Sequence, residues 1–180
     1  PDTHHLISID EVISQDGDLP ELLYSTSNEI LKSGISTNKQ LSINDNELEV
    51  FFSIIKPSTH LIIIGGGPDS VPVIETALLL GWSVTLIDYR ESYTKAENFP
   101  AGINILKSTP DELEDNFEIF NADAVVLMTH KFEYDLNYLK VFIHTSIPYI
   151  GLLGPVARKN EILKSISAAN NIDGRIFGPV

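Results

Sequence analysis

The chain of 180 residues contains no cysteine, one Met and one Trp. Without thiols this chain has neither a disulfide nor a thiolate metal site, so any sulfur chemistry has to come from a partner or from a part of the polypeptide outside this sequence. Cations are scarce as well: 12 Lys and Arg stand against 25 Asp and Glu, a net charge of −13 at pH 7. That field disfavours DNA, RNA and anionic membrane surfaces, while leaving room for a small anion held by a few local donors. Long apolar runs are also missing. The longest such stretch, Thr76 to Ile87, is broken by Gly81 and by polar side chains and is too short to span a bilayer. The opening residues carry no basic-then-apolar leader pattern, and a cytoplasmic protein is expected.

What remains is the composition of an ordinary soluble domain, 43% apolar and 21% charged. Its texture changes along the chain. The first 56 residues are polar and acidic, with a helix expected over "LPELLYSTSNEILKSG". Leu22, Leu23, Ile30 and Leu31 recur there at helical spacing, and Gly34 is its stop. "ELEVFFSII" is rich in β-branched and aromatic residues and predicts a strand. From residue 60 onward, strands and helices alternate. The strands are "HLIIIG", "SVTLID", "INIL", "AVVLMT" and "PYIGLL"; the helices cover 69–81, 111–120, 133–144 and 156–170. "LIII" and "VVLM" are apolar on both faces, as parallel strands covered by helices on each side require. The pattern predicts an α/β fold with a doubly wound, mostly parallel, Rossmann-like sheet. The chain opens at Pro1 and stops in "GRIFGPV", an ending expected for a piece of a longer polypeptide.

In a doubly wound sheet, ligands bind beyond the carboxyl ends of the strands where the strand order reverses. In the common order the first and fourth strands meet at that point. Gly65, Gly66 and Gly67, the Thr129-His130-Lys131 segment, and the stretch from Gly151 to Gly154 are thereby expected to share one crevice. Asp88 closes the second strand about 20 residues beyond the glycines, where a dinucleotide fold places the acid that accepts ribose hydroxyls. The glycine loop itself is hostile to phosphate. Pro68 has no N–H to donate, Asp69 adds negative charge, and Ser70 replaces the third glycine. The same residues suit a plain strand-to-helix turn, with Pro68 presetting φ and Asp69 filling the helix's anion position. His130 can act as acid, base or ligand, or simply bond to loop backbone. Asp135, at the start of the next helix, either orients that imidazole or caps the helix. Arg90, Lys131, Arg158, Lys159 and Arg175 are the cations near this end, with Arg158 and Lys159 expected at a solvated helix end. His4, His5, His60 and His144 show no metal-ligand spacing.

These pieces, in order, resemble the XdhC/CoxI family, accessory proteins of molybdenum hydroxylases. The matching stretches are "LIIIGGG", "GWSVTLIDYR", "FPAG", "VVLMTHKFEYDLNYLK", "YIGLLG" with its basic helix, and "RIFGPV". Asp88, Arg90, Thr129, His130, Asp135, Gly151 and Gly154 fit the family's pattern. Pro68 and Asp69 depart from it, as do Pro155 and Val156. The resemblance implies that residues 1–56 are the tail of a small N-terminal domain and residues 57–180 a Rossmann-like domain cut short at its end. It further implies a homodimer that binds the molybdenum cofactor (molybdopterin) and hands it to an apo-hydroxylase, with a sulfurtransferase as a further partner. In that role the Gly66, Gly67 and Gly154 N–H groups would bond the ligand, and Thr129 and His130 would touch it. Asp135 would orient His130, and Arg90 would offset ligand charge. Two other readings stand beside it: an NAD(P)-dependent oxidoreductase, and a degenerate partner-binding module.

Overall fold

The apolar runs after residue 60 become the strands of a single sheet. In the structure, a computed structural model, residues 5–7, 12–14, 20–44, 46–113, 121–166 and 174–179 are described. The chain divides into two compact units, residues 1–57 and 58–180.

In the first unit, β1 (His5–Ile7) and β2 (Val12–Ser14) pair antiparallel. Helix α1 (Glu21–Ser33) follows, and its last turn closes on Gly34 in the left-handed region at φ 66°, the conformation glycine adopts most cheaply at a helix C-terminus. Then come β3 (Thr37–Ile43) and β4 (Asn46–Phe52), an antiparallel hairpin turning through Asn44 at φ 53°. Asparagine tolerates that region better than most residues. The expected strand is β4, although it ends at Phe52 instead of running through Ile55. β3 was not expected, because "TNKQLSI" is mostly polar and its pairing comes from the turn.

The second unit has β5 (His60–Ile64), α2 (Ser70–Leu79), β6 (Ser83–Asp88), β7 (Asn104–Lys107), α3 (Pro110–Leu113) and β8 (Ala124–Leu127). It closes with α4 (Phe132–Phe142), β9 (Tyr149–Leu152), α5 (Val156–Ile166) and β10 (Ile176–Phe177). Two short 3-10 turns, Glu91–Tyr93 and Ala96–Asn98, follow β6. Residues 114–120 and 167–170 of the expected helices lie outside the described residues. The strand order is β10-β9-β8-β5-β6-β7, with every pairing parallel. This is the doubly wound Rossmann arrangement, with β5 and β8 side by side where the order reverses.

Alternation along β5 splits the core between the two faces. Ile62 and Ile64 join Val125, Leu127, Tyr138, Leu139, Phe142 and Ile162 on the face covered by α4 and α5. Leu61 and Ile63 join Val84, Leu86, Ile74 and Ala77 on the face covered by α2. A strand buried on both sides needs no polar alternation, which is why these runs read as continuously apolar. Among the described residues, no helix is long and apolar enough to cross a membrane.

Candidate functional site

The site begins with the backbone of the glycine loop. Gly65 sits at φ 115°, and a Cβ there would lie 2.7 Å from the Met128 carbonyl oxygen and 3.0 Å from the Thr129 nitrogen. Glycine lets the loops after β5 and β8 touch. A Cβ on Gly66 would collide with the Tyr93 carbonyl oxygen, and one on Gly67 would lie 2.6 Å from Asp69 Oδ1. In a dinucleotide fold the glycines admit a pyrophosphate; here three oxygen atoms of the protein itself, two carbonyls and a carboxylate, close on them.

Asp88 ends β6 as expected, but its carboxylate is not free. Oδ2 accepts from the Gly66 N–H at 2.8 Å and from Arg90 Nη2 at 2.7 Å. Oδ1 accepts from the Arg90 backbone N–H at 2.8 Å and from Arg90 Nε at 2.9 Å. Burial pushes this carboxyl up, yet the Arg90 hydrogen bonds, the Gly66 N–H and the guanidinium charge outweigh it and hold it below the ordinary carboxylate value. The hydrogen bonds from Arg90 to Asp88 raise the guanidinium in turn. Arg90 also lies over the Tyr93 ring, 3.7 Å from its centroid. Three expectations change accordingly. Asp88 presents no open acceptor to a ribose, the Gly66 N–H is spent inside the protein, and Arg90 neutralises Asp88 instead of a ligand.

The expected contact between Asp135 and His130 is absent as well. Asp135 is buried in the first turn of α4. Its Oδ1 accepts from the Thr129 N–H at 3.2 Å and the Thr129 hydroxyl at 2.6 Å, and its Oδ2 from Arg158 Nη2 at 2.6 Å. Thr129 is therefore turned inward and does not face the crevice. Arg158 is mostly covered and ties α5 to α4, where a solvated helix end was expected.

His130 meets a different acid. Its Nε2 lies 2.7 Å from Asp69 Oδ2, with side chains 61% and 39% exposed respectively, so the pair is open to a ligand. An ionised carboxylate only accepts, so Nε2 carries the proton, and Nδ1 has no hydrogen-bond partner among the described residues. His130 adopts φ 61°, an unusual conformation for a side chain with a Cβ and one that functional sites collect. Asp69 stands at the start of α2 but makes no capping hydrogen bond, because its side chain is committed to His130. Its Oδ1 accepts no hydrogen bond among the described residues. The pairing joins the loops after β5 and β8, the two strands at the reversal point. Spacing could not reveal it; the strand order that brings these loops together could have.

Gly151 lies within β9, paired to Val126 and Phe177, so the third loop starts at Leu153, later than expected. Gly154, at φ 119°, leaves 3.0 Å between its missing Cβ and Arg158 Cδ. No hydrogen bond among the described residues engages the N–H groups of Gly67 or Gly154. Beside His130, exposed Lys131 carries its Nζ 5.9 Å from the Tyr89 ring and 5.8 Å from the Tyr134 ring, two rings stacked at 3.8 Å. His60, away from this end, bonds Thr85 through Nε2 at 2.8 Å. Among the described residues, no cluster of His, Asp or Glu could hold a metal ion.

Known proteins resemble this chain in sequence and fold. A Bacillus subtilis protein described as a probable component of xanthine dehydrogenase is 32% identical over 119 residues, 66% of this chain and 36% of that protein. The chain thus spans little more than a third of its curated relative. A crystal structure from Bacillus halodurans, described as a xanthine dehydrogenase, superposes with a TM-score of 0.63 at 23% identity. The match covers 88% of this chain and 56% of that one, and shares the fold. The family described as the XdhC Rossmann domain matches residues 61–180. The chain belongs to the XdhC family, and those residues are its Rossmann domain.

Proposed function

We propose that this chain is the ligand-holding part of an accessory protein that binds the molybdenum cofactor and passes it to a xanthine dehydrogenase-type apo-enzyme. The observation that carries the reading is the His130–Asp69 pair, exposed at the switch point of an XdhC-family sheet. It supplies a free imidazole nitrogen and a free carboxylate oxygen, and the residue after His130 along the chain is the exposed cation Lys131. The unspent N–H groups of Gly67 and Gly154 add neutral donors. Such a set fits a polar heterocycle with an anionic tail: acceptors meet the ring's N–H groups, and Lys131 offsets the tail. The role is binding and transfer, with no covalent step. The apo-hydroxylase, a sulfurtransferase and a second copy of the chain are the partners the reading includes.

The saturated Asp88 supports this reading over a dinucleotide-dependent oxidoreductase, since a ribose would have to displace Arg90. The test is isolation of the full-length protein from cells making the cofactor, with molybdenum and pterin measured in the purified sample. Both are expected in the wild type, and His130→Ala should lose most of them. A wild type without pterin, or a variant that keeps all of it, overturns the proposal.

A further inference from the structure

The glycine loop and its surroundings carry a polarity that family membership does not specify. The oxygens nearest the glycines are the Met128 carbonyl at Gly65, the Tyr93 carbonyl at Gly66 and the Asp69 carboxylate at Gly67. Pro68 removes one N–H from the loop, and Asp88 takes another through Gly66. A phosphate meets acceptors and negative charge there; a group bearing N–H donors meets its complement. The open member of the set is Asp69. Oδ2 is anchored by His130, which fixes the plane of the carboxylate, while Oδ1 stays uncommitted at a side chain that is 39% exposed. A carboxylate offers about four lone-pair sites, so both oxygens can still accept.

We infer that Asp69, held by His130, recognises the donor edge of a 2-amino-4-oxopyrimidine ring, the edge shared by pterins and guanine. On that edge the exocyclic amine and the neighbouring ring N–H point the same way, a fork that a carboxylate can bridge with two charge-assisted hydrogen bonds. The ring's oxo group is an acceptor, for which the Gly67 N–H is an unspent donor. This places the heterocycle at the glycine loop and leaves the anionic end of the molecule toward Lys131, opposite to the orientation in which a phosphate sits on the glycines. The inference rests on the cofactor-binding reading for its choice of pterin.

The test uses the full-length protein and the intrinsic fluorescence of 6-hydroxymethylpterin. Saturable binding is expected. 6-Hydroxymethyllumazine, the same molecule with the 2-amine replaced by oxygen, should bind about tenfold or more weaker, because one charge-assisted bond is replaced by repulsion between acceptors. Asp69→Ala should abolish that discrimination, and NADH should not compete. 6-Hydroxymethyllumazine binding as tightly as the pterin overturns the inference without relying on any variant, and so does an Asp69→Ala protein that binds pterin like the wild type. If either occurs while molybdenum and pterin still co-purify, the cofactor reading stands and only the orientation falls. If guanosine displaces the pterin and outbinds it while no molybdenum co-purifies, the edge recognition stands and the cofactor reading falls.

Discussion

Asp69 and Asp88 are carboxylates at the same end of the sheet, and their surroundings give them different roles. Asp88 is fully buried, and four donors close on its two oxygens. Removing one partner from such a pair strands the other. Asp88→Ala should therefore cost about 3 kcal/mol in chemical denaturation. Its pH dependence has a definite sign. The folded carboxyl sits below its ordinary value of 3.8, so the unfolded chain takes up the proton first as pH falls. The stabilisation is fully present above the ordinary value and is lost as pH drops through the lowered one. Thermal unfolding of the wild type should weaken across that acid window, and Asp88→Asn should show a flatter profile there; parallel profiles would mean that Asp88 does not govern acid stability. Gly66 makes a second residue-level case. A Cβ would strike the Tyr93 carbonyl, and backbone cannot rotate aside as a side chain can. Gly66→Ala should displace the two turns after β6 and destabilise by about 1–3 kcal/mol, with faster amide exchange confined to residues 91–99 as the readout.

At the level of elements, α4 and α5 are tied by Asp135 and Arg158. The bond is 2.6 Å long, and the Asp135 side chain is 2% exposed. Replacing Arg158 with Met keeps much of the stem's packing but leaves a buried carboxylate satisfied only by Thr129. Asp135→Asn with Arg158→Met removes both charges. The single change should cost about 3 kcal/mol and the double change clearly less; equal costs in denaturant titrations would show that packing, not charge, holds the two helices together. The same bridge explains what was legible in the sequence. Strands buried on both faces announce themselves by apolar runs, and β5, β6, β8 and β9 were readable for that reason. β3 was not, since Leu41 and Ile43 are its only large apolar residues and its partner is supplied by a turn. The crevice was readable as a place, because strand ends and strand order define it. Its internal pairings were not. Asp135 is near His130 in the chain, but the first turn of α4 rotates it into the core toward Arg158, whereas Asp69 reaches His130 only because β5 and β8 are neighbours. Proximity along the chain suggested one acid, and proximity across the sheet selected the other.

Across these 180 residues, the dominant fact is a net charge of −13 on a chain proposed to receive an anionic cofactor. A field of that sign repels an incoming anion at long range. Lys131, next to His130 in the chain, acts only at short range, within the distance that salt leaves unscreened. The Debye length shrinks from about 30 Å at 0.01 M salt to about 8 Å at 0.15 M. Raising salt therefore removes the distant repulsion first and the local attraction last. The association rate of a pterin monophosphate should rise severalfold over that range in stopped-flow fluorescence, while its dissociation rate changes little. This is the reverse of the steep fall that basic, phosphate-gripping surfaces show with salt. An association rate that falls with salt would mean that cations around the crevice dominate the approach. The orientation inferred for Asp69 adds a contrast within the same measurement. The uncharged 6-hydroxymethylpterin presents the same edge without the phosphate, so its association rate should hardly respond to salt. The difference between the two ligands isolates long-range charge from recognition at the glycine loop.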